Sequence, residues 1–159
     1  MTTHERTAAM LPPEGADRIQ VGRVRLASSD LLLRLNALLR QLSSSAAPLT
    51  MTALQRLIDA DGSVLFAATC DGEIVGTICL ALSHCPSGTR ACIEDLVVEQ
   101  ARRRIGVADA LARAALEHAR QQGARSVDLT CRPERLAANR LYQKLGFKVR
   151  STNFYRLDC

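Results

Sequence analysis

The stretch that decides the fold runs from Ile93 to Ala119 and reads IEDLVVEQARRRIGVADALARAALEHA. It opens as an apolar strand interrupted by two carboxylates, Glu94 and Asp95, and passes through three consecutive arginines, Arg102 to Arg104, to Gly106. From about Ile105 to Gln122 the period becomes helical. Ala108, Leu111, Ala112, Ala115 and Ala119 fall on one stripe, and Gly123 is a C-terminal stop. A strand, a basic turn and a helix in this order suit anion capture. N–H groups at a helix start are unpaired, the helix dipole favours negative charge there, and a glycine lets an anion approach the main chain. Neighbouring Arg side chains add charge-assisted hydrogen bonds. Taken alone, R-x-x-G-x-A also describes a basic surface turn whose glycine relieves crowding.

Upstream, Ile19 to Leu26 predicts a first strand, weakened by Gly22. Ser28, Ser29 and Asp30 offer caps for a helix through about Leu42, the Ser43 to Pro48 segment is a loop, and Met51 to Ala60 predicts a second helix. Two strands from Ser63 onward are joined by Asp71 and Gly72, a hairpin turn pair. His84 falls in the loop after them, and a third strand from Arg90 to about Val98 completes an antiparallel meander. Downstream, Ser126 to Cys131 is a short strand, Pro133 can open a helix running to Leu145, and Gly146 stops it. Phe147 to Arg150 and Asn153 to Leu157 read as two further strands, a hairpin through Ser151 and Thr152. The fold class is therefore α/β of the α+β type: a mixed, mostly antiparallel twisted sheet of about six to seven strands with helices on both faces. Residues 1–18 read as a mobile N-terminal tail and residues 19–159 as a single domain.

The composition fits one globular domain. The chain has 159 residues, 47% hydrophobic and 23% charged, which is too apolar for disorder. No run approaches the roughly 18 apolar residues of a membrane span, and the first residues lack a signal-peptide core, so a cytoplasmic protein is expected. Six cysteines without C-x-x-C spacing predict reduced core thiols, and three histidines, none adjacent to another, give no ground for a metal site. The net charge of +5 lies entirely in the second half, where residues 91 to 159 carry thirteen cations against eight acids. Such a surplus suits nucleic acid or a phosphorylated small molecule. Only five aromatic residues are available to stack bases, and no helix-turn-helix signature is present, which disfavours nucleic acid. The nucleotide patterns G-x-x-x-x-G-K-[ST] and G-x-G-x-x-G are absent.

Together with RLAANRLYQKLGF at Arg135 to Phe147, the stretch from Ile93 resembles the GNAT superfamily of acyl-CoA-dependent N-acetyltransferases. The resemblance implies a GNAT fold with acetyl-CoA in a gap between the fourth and fifth strands. It implies a pyrophosphate loop at Arg103, Arg104, Ile105, Gly106, Val107 and Ala108, with Ala108 where a second glycine is commoner. Leu96, Val97 and Val98 would run beside the pantetheine arm, and Asn139 and Tyr142 would lie at the cofactor. Tyr142 would give a proton to the departing thiolate, a task a neutral phenol suits. Glu94 or Asp95 would take the proton of an ammonium substrate, because only the neutral amine can attack. Consecutive strand residues face opposite sides, so one of the two acids faces a given cleft unless a bulge intervenes. Many relatives carry Asn where this chain has Arg135.

The expected activity is acetyl transfer to a primary amine of a small molecule, such as an amino acid or amino sugar, by direct attack and without a metal. A non-catalytic acyl-CoA-binding regulator and acetylation of a protein amine are the alternatives. Neither nucleic acid nor membrane is an expected partner, and a homodimer is possible through the apolar terminal hairpin.

Overall fold

A computed structural model describes residues 19–45 and 47–158. The tail expected over residues 1–18 lies outside them. The described elements follow the order β1 (Gln20–Arg23), α1 (Ser29–Leu42), α2 (Met51–Asp59), β2 (Ser63–Cys70), β3 (Glu73–Cys85), β4 (Gly88–Val98), α3 (Val107–Gln121), β5 (Val127–Leu129) and α4 (Leu136–Lys144). The strands form one sheet in the order β1-β2-β3-β4-β5, antiparallel except for the parallel pair β4 and β5.

Local chemistry sets most boundaries. Ser28 accepts a hydrogen bond from Leu31 N–H and Thr50 from Ala53 N–H, so each cap satisfies a donor that the helix leaves unpaired. Asp71 and Gly72 both adopt positive φ, 52° and 82°, as a two-residue hairpin turn requires. Past the end of α3, Gly123 at φ 71° lets Ala124 N–H reach back to the Ala119 carbonyl.

The sheet is covered on both faces. Val64, Phe66, Val75, Ile78, Leu80 and Ile93 pack with Val107, Leu111, Ala112 and Ala115 of α3, while Leu31, Leu35, Leu54 and Leu65 form a smaller cluster under α1 and α2. Burying a side chain such as Leu111 or Ile78 completely contributes about 1.5–3 kcal/mol. The alanines of α3 bring its axis close to the sheet.

Three expectations need correction. The sheet has five strands rather than six to seven, because residues 147–158 form none. Val149, Phe154, Tyr155 and Leu157 are 91%, 72%, 85% and 88% exposed. Val149, Tyr155 and Leu157 alternate with charged residues as in a strand, but Ser151 and Thr152 lack the turn chemistry of a tight hairpin, and two arms of four or five residues are marginal without a sheet behind them. The third strand begins at Gly88, so His84 stands within β3, where its Nδ1 lies 3.1 Å from Thr89 Oγ1, and not in a loop. Finally, α4 starts at Leu136, three residues after Pro133, with Arg135 in the capping position.

Candidate active site

The site begins where β4 parts from β5. The parallel pair spans only Ala91 to Ile93 against Val127 to Leu129, so Glu94 to Val98 continue beyond the last residue of β5 and leave a gap along that edge of β4. Against β3, Cys79 pairs with Glu94 and Thr77 with Val97, so Asp95 and Leu96 together face the single residue Ile78. This is a β-bulge, with Asp95 at φ 48°, a conformation that Asp tolerates better than most residues. The bulge breaks the strict alternation of side chains and brings both acids near one thiol: Asp95 first and Glu94 second act electrostatically on Cys79.

That neighbourhood shifts several groups. Burial, then the Glu94 charge, raises the Asp95 carboxyl above its ordinary value. Burial, Asp95 and Glu94 push the Cys79 thiol up to about 11. Cys92 is pushed up to about 12 by burial, by its hydrogen bond to Glu94 and by the charges of Glu94 and Asp128. Both thiols are thus neutral near pH 7 and unsuited to be nucleophiles. Cysteine was expected to be core packing, yet of the described cysteines only Cys70 is fully buried.

The anion loop follows β4. Glu99 N–H donates to the Val75 carbonyl, and strand alternation then turns the backbone groups of Val98 away from β3, where Arg103 Nε donates to the Val98 carbonyl at 3.1 Å. A 3-10 turn spans Gln100–Arg102, and Arg102 lies 3.7 Å from Asp71. Arg104 at φ 67° and Gly106 at φ 98° then bend the chain into α3, and Gly106 caps that helix without a side-chain hydrogen bond. Positive-φ residues of this kind aim successive N–H groups into one concavity. Among the described residues a Cβ on Gly106 would meet only Ile19 Cδ1, at 3.8 Å, which leaves room there for a ligand. Val107 is buried and Ala108 packs against the core, whereas Arg103, Arg104 and Ile105 are exposed. The open N–H groups, the concavity and the cations fit a pyrophosphate.

Two tethers missed by sequence reasoning hold α1 beside this loop. Arg34 Nη2 lies 3.1 Å from Glu99 Oε2 while its Nε donates to the Ile74 carbonyl at 2.8 Å, and Gln41 accepts from Gln100 N–H at 3.0 Å. Their contacts join residues 40 to 65 positions apart, which no local pattern reveals.

Tyr142 forms the other side. It is half-buried on α4 with its ring edge-on to Phe147, centroids 5.8 Å apart. Burial foremost, and then Cys131, raises its hydroxyl, against a lowering by Arg135. Among the described residues no hydrogen bond engages that hydroxyl, and none joins it to Glu94 or Asp95. Asn139 donates from Nδ2 to the carbonyls of Arg132 and Arg135, holding the first turn of α4. Arg135 reaches the Leu42 carbonyl at 3.2 Å and ties α4 to the end of α1. Among the described residues no group of three or more His, Cys, Asp or Glu side chains is placed to hold a metal ion.

An open cradle at the start of α3 beside a parallel strand pair that splits is the arrangement expected of an acyl-CoA-dependent acyltransferase. The chain belongs to the GNAT acetyltransferase family, whose model matches residues 34–147, and it is an acetyltransferase with acetyl-CoA as the acyl donor. An acetyltransferase of Trypanosoma brucei is similar in structure, with 29% identity, coverage of 89% of this chain and 100% of that one, and a TM-score of 0.72. The aminoglycoside N-acetyltransferase AAC(6')-Iy, solved with CoA, shares the fold at 24% identity, 94% and 100% coverage and a TM-score of 0.74. An aminoglycoside acetyltransferase from an uncultured soil metagenomic sample, solved with trehalose, shares it at 18% identity, 89% and 97% coverage and a TM-score of 0.77. No curated protein matches the chain.

Proposed function

We propose that this acetyltransferase moves the acetyl group of acetyl-CoA to a primary amine of a small molecule, an amino sugar or amino acid, by direct attack. The observation that carries this reading is the bulge that sets Glu94 and Asp95 together at the mouth of the β4/β5 gap. Asp128 of β5 pairs with Cys92 and adds a third carboxylate nearby. Such a surface attracts an ammonium group. Two of the fold relatives are named aminoglycoside acetyltransferases, which agrees with this choice.

Acetyl-CoA supplies the acetyl thioester. The backbone of Gly106, Val107 and Ala108 holds its pyrophosphate, with Arg103, Arg104 and Ile105 completing the loop. Leu96 and Val98, on either side of Val97, would offer main-chain groups to the pantetheine arm, and the N–H of Val98, turned away from β3, would be the donor for the acetyl carbonyl oxygen. Asn139 keeps the start of α4 in place beside the cofactor, and its Oδ1 remains available as an acceptor. Glu94, with Asp95 beside it, takes the proton from the ammonium. Tyr142 gives its proton to the departing sulfur, and its raised hydroxyl is fully protonated at neutral pH.

We place the enzyme in the cytoplasm, where thiols remain reduced, and read it as a homodimer joined through the exposed apolar side chains of residues 149–157. Light scattering on the whole chain and on a chain ending at Lys148 tests the dimer. A monomer in both samples contradicts it.

The activity is tested with acetyl-CoA and a panel of L-amino acids, glucosamine and aminoglycosides, following release of free thiol. Turnover of an amine by the wild type and its loss in Glu94→Gln support the reading. Cofactor binding without turnover of any amine would favour a regulator instead.

A further inference from the structure

The sheet changes character between two residues of the same face. Cys92 and Glu94 are two apart on β4 and so point to the same side. Cys92 is flanked by partners on both strands, Ala81 on β3 and Asp128 on β5, whereas Glu94 has Cys79 on one side and the gap on the other. Cys92 thus belongs to the rigid three-stranded part of the sheet, and Glu94 stands one step past it. The Cys92 thiol bridges the two, donating to Glu94 Oε1 at 3.2 Å, with a second, longer approach to the Ile93 carbonyl at 3.8 Å.

We infer that Cys92 is a positioning residue for acceptor deprotonation, its thiol holding the Glu94 carboxylate in one rotamer at the mouth of the gap. This rests on the role given to Glu94 above. A glutamate at an open edge has three side-chain torsions, and fixing them before the amine arrives removes an entropic cost from the reaction. A thiol suits the task. It is small enough for the partly buried position and carries one donor, and burial with the nearby carboxylates keeps it protonated. Cys79, opposite Glu94, has no hydrogen bond to either acid among the described residues and supplies only a neutral wall.

The test compares Cys92→Ser, which keeps a donor, with Cys92→Val, which removes the donor without leaving a void, and Cys92→Ala, which removes both donor and bulk. All three are assayed with acetyl-CoA and the amine of highest turnover in the panel, beside Glu94→Gln and the double variant of Cys92→Val with Glu94→Gln. Cys92→Ser should hold kcat within about threefold of wild type, while Cys92→Val and Cys92→Ala lose about tenfold, the scale of one hydrogen bond to a charged group. KM for acetyl-CoA should be unchanged throughout, and Cys92→Val should cost nothing further once Glu94 is Gln. If Cys92→Val matches Cys92→Ser, the thiol merely fills space and the inference is overturned while the role of Glu94 stands. If Glu94→Gln retains full activity, it is the role of Glu94 that fails. Cys92→Ala, which adds no branch at Cβ, keeps the comparison available should the β-branched variant not fold.

Discussion

Gly76 of β3 and Val97 of β4 approach so closely that a Cβ on Gly76 would stand 2.9 Å from the Val97 carbonyl oxygen, with Val107 Cγ1 and Leu111 Cδ1 of α3 at 3.1 and 3.2 Å. One missing methyl group therefore sets how near the helix that begins at the anion loop comes to the strand that borders the gap. Even alanine at position 76 must move backbone on one side and two core side chains on the other. Gly76→Ala should lose about 1–3 kcal/mol of stability, the usual cost of overpacking a core. A urea midpoint unchanged from wild type would show that the contact relaxes freely.

Asp95 should leave its mark on the pH profile. Burial and the neighbouring Glu94 raise its carboxyl above the ordinary 3.8. A protonated Asp95 no longer adds its charge to the mouth of the gap where the ammonium is drawn, so activity falls as pH drops through this raised value. The acid limb of kcat/KM should lie above 3.8 in wild type and move to lower pH in Asp95→Asn. An identical profile in Asp95→Asn would assign it to another group.

Much of this arrangement was legible before any coordinates, for reasons that differ by element. The β2/β3 hairpin was marked by Asp71 and Gly72, whose positive φ the turn demands, and α3 by its stripe of small residues between Gly106 and Gly123. These are local signals. The bulge at Asp95 was not legible, because it is a mismatch of count between two strands and neither strand alone records it. The Cys79 thiol beside the acids was hidden for the same reason, since it meets Glu94 only through register. The terminal hairpin was over-read. Val149, Tyr155 and Leu157 alternate with charged residues, but period-2 patterning supplies no turn and no sheet to lie on.

Tyr142→Phe removes one hydroxyl from a half-buried ring that would keep its edge-on contact with Phe147. Loss of a general acid should lower kcat on the order of 10²-fold, with little change in affinity for acetyl-CoA. Steady-state kinetics beside a binding titration separates the two. A variant with wild-type kcat would leave the sulfur to be protonated by another group.

His118 predicts a pH-dependent stability. It packs edge-on against Phe66 with centroids 5.8 Å apart, and burial first, then Arg23, lowers its pKa below 6.5. The unfolded chain therefore binds this proton more readily than the folded one, so stability rises with pH across that window and is lost as pH falls below about 6.5. Thermal melts between pH 5 and pH 8 should show the decline in wild type and a smaller one in His118→Gln. Equal slopes would place its origin elsewhere.

The anion cradle at the start of α3 is tested most directly by calorimetric titration with acetyl-CoA, on wild type and on Gly106→Glu. The substitution sets a carboxylate where the pyrophosphate is placed, at a backbone φ of 98° that side chains rarely adopt, so each sample is first checked for folding by its melting curve. Saturable binding to wild type and its loss in a folded Gly106→Glu is the predicted result. Equal binding by both proteins, or none by wild type, would contradict it.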